Sequence, residues 1–213
     1  MIIIQHPSDP DIPLEDNFIS GYMDKNGLRM VKSFEGFAMY PYNIGDGTNT
    51  IGYGCTEVYS PDAYNQLYPS CTEEQASIVL GQFAYTNYSL PYLNQLNEDN
   101  YNWGYMTQDL FNAMVSFAWN SGVYAMKYDW SELWNLIITG QNITNPTYFA
   151  EVWANTNVMP GTEFEQGLRN RRYREGQIAI GNYDYTNFII SNVSVGGTIT
   201  TNNGYGYIPR EYQ

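Results

Sequence analysis

Glu35 closes a short apolar pattern in which Leu28, Val31 and Phe34 recur at helical spacing, and fifteen residues later comes Thr50-Ile51-Gly52-Tyr53-Gly54, with Asp46 between them. Cleaving a glycosidic bond needs one carboxyl group that donates a proton to the leaving oxygen, and usually a second group that stabilises the cation or activates water. A lone acid held at a helix end against a glycine-punctuated ribbon suits that chemistry. Phe34 and Phe37 add apolar surroundings of the kind that keep a carboxyl group protonated. A glutamate at a helix end is otherwise a solvated surface group, so the ribbon beside it carries the reading.

Other mechanisms lack their residues. His6 is the one histidine of the 213-residue chain and lies in a Pro- and Asp-rich stretch without helical or strand period. A zinc hydrolase ordinarily needs two or more histidine ligands, and a Ser or Cys hydrolase needs a histidine base. The expectation is therefore an enzyme with no metal and no cofactor. The formal charge of −13, with only nine Lys and Arg, excludes a phosphate-neutralising grip on nucleic acid and disfavours anionic membranes. Cys55 and Cys71 are expected as free thiols. Met1-Ile2-Ile3-Ile4 is too short for a secretory signal or a membrane span.

The elements that must position the acid follow from period and punctuation. Residues 1–25, with Pro7, Pro10 and Pro13 among acids, read as an extended arm. Asn26 to Phe37 reads as a helix terminated by Gly36, and Tyr40 to Thr56 as a hairpin or small sheet with Gly45-Asp46-Gly47 at its tip. Thr72 and Gln75 form a capping-box pattern before a helix marked by Ile78, Val79 and Phe83. Leu110 to Ala118, ending at Asn120-Ser121-Gly122, predicts the central core helix. Ser131 to Thr139 and the stretch after Asn145-Pro146 predict two short helices, and Thr162-x-x-Glu165 a second capping box opening a helix to Gly181. The sum is about six helices and one hairpin, an α+β fold with the sheet near the amino end. Residues 182–213, rich in Tyr, Gly and Asn, read as a tail or linker.

Three segments in order carry a resemblance. Phe34-Glu35-Gly36-Phe37, then Tyr42, then Thr50 to Gly54 resembles the start of the phage-type lysozymes, glycoside hydrolase family 24. Val115 to Gly122 is similar to that family's core-helix signature, and Gly167-Leu168-Arg169-Asn170-Arg171-Arg172-Tyr173-Arg174-Glu175 to its final-helix motif. The resemblance covers residues 26–181, the expected catalytic domain, and implies a lysozyme-like fold.

It also implies a metal-free muramidase acting on peptidoglycan at the β-1,4 bond between N-acetylmuramic acid and N-acetylglucosamine, with Glu35 as general acid and Thr50 placing the attacking water. The family's second acid position is occupied here by Ile44, so Asp46, two residues on, is the expected second carboxylate, with Asn43 as the other polar candidate. Cys55 stands where many relatives carry a histidine. Tyr53, with Tyr42, and Asn120 are candidates for the sugar site, with packing and helix-end duties as the alternative. The resemblance further implies that Arg171 or Arg172 braces the acid; the alternative is surface pairing with Glu165 and Glu175. Two settings fit, a lysis enzyme in the host cytoplasm or a virion-tail domain attached through either arm. A catalytically weakened, lysozyme-like module that binds wall or serves as a structural part of a virion is the rival.

Overall fold

The computed structural model describes residues 21–43, 47–190 and 192; the first twenty residues of the expected arm over 1–25, the expected hairpin tip at Asp46 and residues 193–213 lie outside it. Its elements run α1 (Lys25–Glu35), β1 (Ala38–Asn43), β2 (Asn49–Gly52), β3 (Cys55–Thr56), α2 (Pro61–Leu67), α3 (Glu73–Ala84), α4 (Leu90–Glu98), α5 (Gln108–Ser121), α6 (Ala125–Tyr128), α7 (Ser131–Ile138), α8 (Gln141–Thr144), α9 (Pro146–Ala154) and α10 (Glu165–Ala179). The described residues therefore hold more helices than the six expected. The additions are short, such as α2, which Ser60-Pro61 starts at a first-turn proline. A π-turn over Tyr85–Ser89 carries the chain from α3 into α4. No helix among the described residues is long and apolar enough to cross a membrane.

Contacts cluster these residues into two compact units, one of residues 21–27 and 84–184, the other of 28–83 and 185–192. The stretch 26–181 holds parts of both. In the second unit the strands form an antiparallel sheet of order β1-β2-β3. Its register pairs Ala38 with Gly52, Tyr42 with Thr50 and Asn43 with Asn49, with an irregularity between Ala38 and Tyr42. Pro41 sits in that irregular stretch, where a residue without an N–H costs no ladder bond. Ile51 and Cys55, paired across the β2–β3 turn, and Tyr53 within that turn are fully buried, and alternation along β2 turns Thr50 to the face opposite Ile51. Thr50 there pairs with Thr56.

The capping box before α3 forms as expected: Gln75 N donates to Thr72 Oγ1 at 3.2 Å and Thr72 N to Gln75 Oε1 at 2.8 Å. The helix then buries Ala76, Val79 and Leu80 while Ile78 lies exposed. The second capping box does not form. Thr162 turns its hydroxyl to Met159 O, Glu165 accepts from Gly161 N, and α10 starts only at Glu165.

The first unit is organised around α5, capped by Thr107 Oγ1, which accepts from Leu110 N at 3.0 Å. It ends at Gly122, whose φ of 86° is a conformation glycine adopts without strain. Every residue from Leu110 to Ala118 is buried, the mark of a helix surrounded by protein on all sides. Among them is Asn112, whose Nδ2 donates to Asp24 Oδ1 at 2.9 Å while its Oδ1 accepts from Asp24 N and Gln108 Nε2. Asp24 Oδ1 in turn caps α1 through the amides of Asn26 and Gly27. A Cβ on Gly27 would come within 2.6 Å of Asn112 Oδ1, so this approach demands glycine. Against α5 and α9 packs α10, which buries Arg171, Arg172, Arg174 and Glu175 beside Ile178 and Ala179.

The expected tail does not leave the fold at residue 182. Phe188 is fully buried in the second unit, edge-on to Phe34 at 5.5 Å, and Asn192 bridges to Phe37.

Candidate active site

Glu35 is the last residue of α1 and is half-buried. Gly36 follows with φ 71° and its N–H donating to Lys32 O at 2.9 Å, which stops the helix and turns the chain into β1. Two anchors fix α1 in the second unit. On one side Lys32 Nζ donates to Ser77 Oγ of α3 at 2.6 Å and lies 5.2 Å from the centre of the Tyr53 ring. On the other, Arg29 Nε donates to Phe188 O at 3.0 Å, beside the Phe34–Phe188 ring contact. Burial pulls the Lys32 pKa down, and the nearby Glu73 charge offsets part of that.

Tyr53 does not line an open surface. It is fully buried, packs against Phe37 and donates its hydroxyl to Glu73 Oε1 at 2.9 Å. Of the two readings of Tyr53 the structure favours packing, since the β2–β3 turn, flanked by Gly52 and Gly54 with positive φ, carries the ring into the core.

Cys55 and Cys71 are free and buried. Burial, then the neighbouring Cys71 and the Glu35 carboxylate, push the Cys55 thiol up to about 12. A neutral, apolar thiol thus stands within the electrostatic reach of Glu35, directly across the sheet from Ile51 and so one residue from Thr50. Thr50 itself is half-buried on the opposite face of its strand, and Asn43 is exposed at the end of β1. The second unit thereby holds Glu35, Thr50, Asn43 and Tyr53.

Asn120, Arg171 and Arg172 belong to the first unit. Arg171 Nε donates to Glu175 Oε1 at 3.0 Å and its NH2 to Ser116 O at 3.0 Å. Arg172 NH1 donates to Glu175 Oε2 at 2.6 Å, with its guanidinium 4.3 Å from the centre of the Phe117 ring. Ser116 Oγ and Trp153 Nε1 donate to the same carboxylate. The alternative of exposed surface pairs holds for Arg169 with Glu165 but not here, since Glu175 and Arg172 are 0% exposed. From its far side Arg172 NH2 reaches Asn120 Oδ1, and Ser121 Oγ at 2.8 Å. Asn120 is exposed at the end of α5. Glu175 as an organising residue was hidden in the sequence because i,i+3 and i,i+4 pairs have the same spacing on a surface as in a core.

A half-buried acid at a helix end, a three-stranded sheet and a buried arginine-bearing last helix define a lysozyme-like fold. The muramidase domain of SpmX from Asticaccaulis excentricus shares it at 24% identity, with 74% of this chain and 97% of that one covered and a TM-score of 0.53. An endolysin from Escherichia coli O157:H7 phage FAHEc1 shares it at 26% identity, with 76% and 94% covered and a TM-score of 0.54. No curated protein matches the chain in sequence. The phage lysozyme family matches residues 32–175, and the chain belongs to that family.

Proposed function

We propose that the protein is a peptidoglycan hydrolase, a muramidase cleaving the β-1,4 bond between N-acetylmuramic acid and N-acetylglucosamine. The observation that carries the reading is Glu35, half-buried at the glycine-stopped end of α1 in a member of the phage lysozyme family. In this reading Glu35 donates its proton to the glycosidic oxygen. Thr50 helps to place the attacking water, and Asp46, two residues past the position of Ile44, supplies the second carboxylate. Residues 26–181 form the catalytic domain.

The comparison that supports the substrate is the pair of structural relatives, one a muramidase domain and one an endolysin. The chain's charge of −13 makes free diffusion onto polyanionic walls unfavourable, so attachment to a virion tail suits it better than release into a host cytoplasm.

Glu35→Gln keeps the side chain's size and removes its proton. Release of reducing ends from purified peptidoglycan is expected to fall by orders of magnitude with the circular dichroism spectrum unchanged. Full activity in that variant overturns the assignment. Asp46→Asn is expected to lose most activity as well; near-normal rates would transfer the role to Asn43 or leave Glu35 as the single catalytic acid. Ile44 and Cys55 favour one rival, a wall-binding module, which would bind peptidoglycan and release nothing.

A further inference from the structure

We infer, independently of the muramidase reading, that the first unit holds an internal water site between α4 and α10, in which one water molecule bridges the Tyr92 hydroxyl to Arg172 Nε.

Both side chains are fully buried, and neither the Tyr92 hydroxyl nor Arg172 Nε has a hydrogen-bond partner among the described residues. A buried polar atom without a partner is costly, so such atoms meet ordered water where protein does not reach them. The rest of the guanidinium is engaged. NH1 donates to Glu175 Oε2 at 2.6 Å, NH2 donates to Asn120 Oδ1 and to Ser121 Oγ at 2.8 Å, and the group lies 4.3 Å from the centre of the Phe117 ring. Nε cannot turn to another acceptor without breaking these bonds. Tyr92 is held as firmly. Its ring stacks on Trp134 at 6.2 Å, and Trp134 is itself fixed by Nε1 donating to Asp99 Oδ2 at 2.7 Å.

Burial, then the Glu175 charge, pushes the Tyr92 pKa up, while the Arg172 charge opposes them. The hydroxyl therefore keeps its proton and lies within electrostatic reach of the buried ion pair without bonding to either member. One water spans a gap of that kind.

The chemistry along α4 selects water over an anion. Ser89 Oγ, three residues before Tyr92, and Gln95 Oε1, three residues after it, are buried and likewise have no partner among the described residues. Steps of three keep these atoms toward one side of the helix. Gln95 Nε2 donates to Val123 O at 3.4 Å, which fixes its other end as the acceptor. The set thus contains a donor in Arg172 Nε, an acceptor in Gln95 Oε1 and two hydroxyls that do both. Water matches it, because water donates as well as accepts. A halide only accepts, and the Glu175 carboxylate already supplies the negative charge beside Arg172. Tyr92 is then a positioning residue, holding the Arg172 guanidinium through the shared water.

The test compares the full-length protein with Tyr92→Phe, which keeps the ring on Trp134 and removes the hydroxyl. Magnetic relaxation dispersion of the water oxygen counts waters held in the interior. The count is expected to fall by about one in the variant, since a buried water needs at least two polar partners. Tm is expected to fall by about 2–4 °C, because Arg172 Nε is left unpaired. A hydroxyl that had no partner at all would behave in the opposite way, and its removal would raise Tm at an unchanged count. An unchanged count, or a Tm above that of the wild type, overturns the inference. So does a difference in Tm between the two proteins that depends on replacing sulfate by bromide at constant ionic strength, which would assign the site to an anion.

Discussion

Arg172 and Glu175 form a fully buried ion pair, NH1 to Oε2 at 2.6 Å, three residues apart on α10. The pair is not isolated: Arg171, Ser116 and Trp153 also donate to the same carboxylate. Desolvating two charges is costly, and only such a set of donors offsets it.

Removing one partner therefore leaves a buried charge without its counterion. Glu175→Gln is expected to destabilise the protein by about 3–5 kcal/mol. Urea unfolding followed by circular dichroism checks this. A loss within the surface range of about 1 kcal/mol would mean that solvent reaches the pair.

Tyr53 separates packing from substrate contact. Tyr53→Phe removes a buried hydroxyl bonded to Glu73 and keeps the ring against Phe37 and under Lys32. The expected outcome is a stability loss of about 1–2 kcal/mol with KM on soluble wall fragments unchanged. A rise in KM at constant stability would return Tyr53 to the sugar site.

Alkaline pH should weaken the second unit through its thiols. The Cys55 thiol, ordinarily near 9.0, is pushed up to about 12, first by burial, and Cys71 is raised by burial as well. A folded-state pKa above the unfolded one means that the stabilisation is complete below pH 9.0 and is lost as pH rises toward 12. Lys32, lowered by burial, works in the opposite sense over its own range up to 10.5. Urea midpoints taken upward from neutral pH are expected to fall less steeply for Cys55→Val than for the wild type. Parallel slopes would show that Cys55 titrates normally.

Two truncations distinguish fold from appendage. Ending the chain after residue 182 removes Phe188 from its contact with Phe34 and from the Arg29 bond, and is expected to lower Tm and activity together. Ending it after residue 192 spares those contacts. Hydrolysis of soluble fragments is then expected to continue; its loss would assign the last segment a part in the fold or in the reaction.

Where punctuation is chemical, the sequence was legible. Gly36, Thr107, Gly122, Pro146 and the Thr72–Gln75 box mark their helix ends by side-chain and backbone rules that act locally. The order of sheet and helices followed from the same signals. Tertiary choices were not legible in this way. Thr162-x-x-Glu165 has the right letters for a cap, but Glu165 accepts from Gly161 N instead and also pairs with Arg169. For Tyr53 the sequence leaves sugar contact and packing open, because its partner Glu73 lies twenty residues away on α3. The arginine cluster is legible, whereas the carboxylate that organises it has the spacing of a surface mate as well as of a buried one, since burial by α5 and α9 leaves no trace in spacing.

Asn112 has a consequence for motion. By clasping Asp24 from the middle of a wholly enclosed helix, it ties the opening turn of α1 to the most protected part of its unit. Helix starts usually fray, yet the amide hydrogens of Asn26 and Gly27 should exchange with deuterium only when α5 itself comes undone.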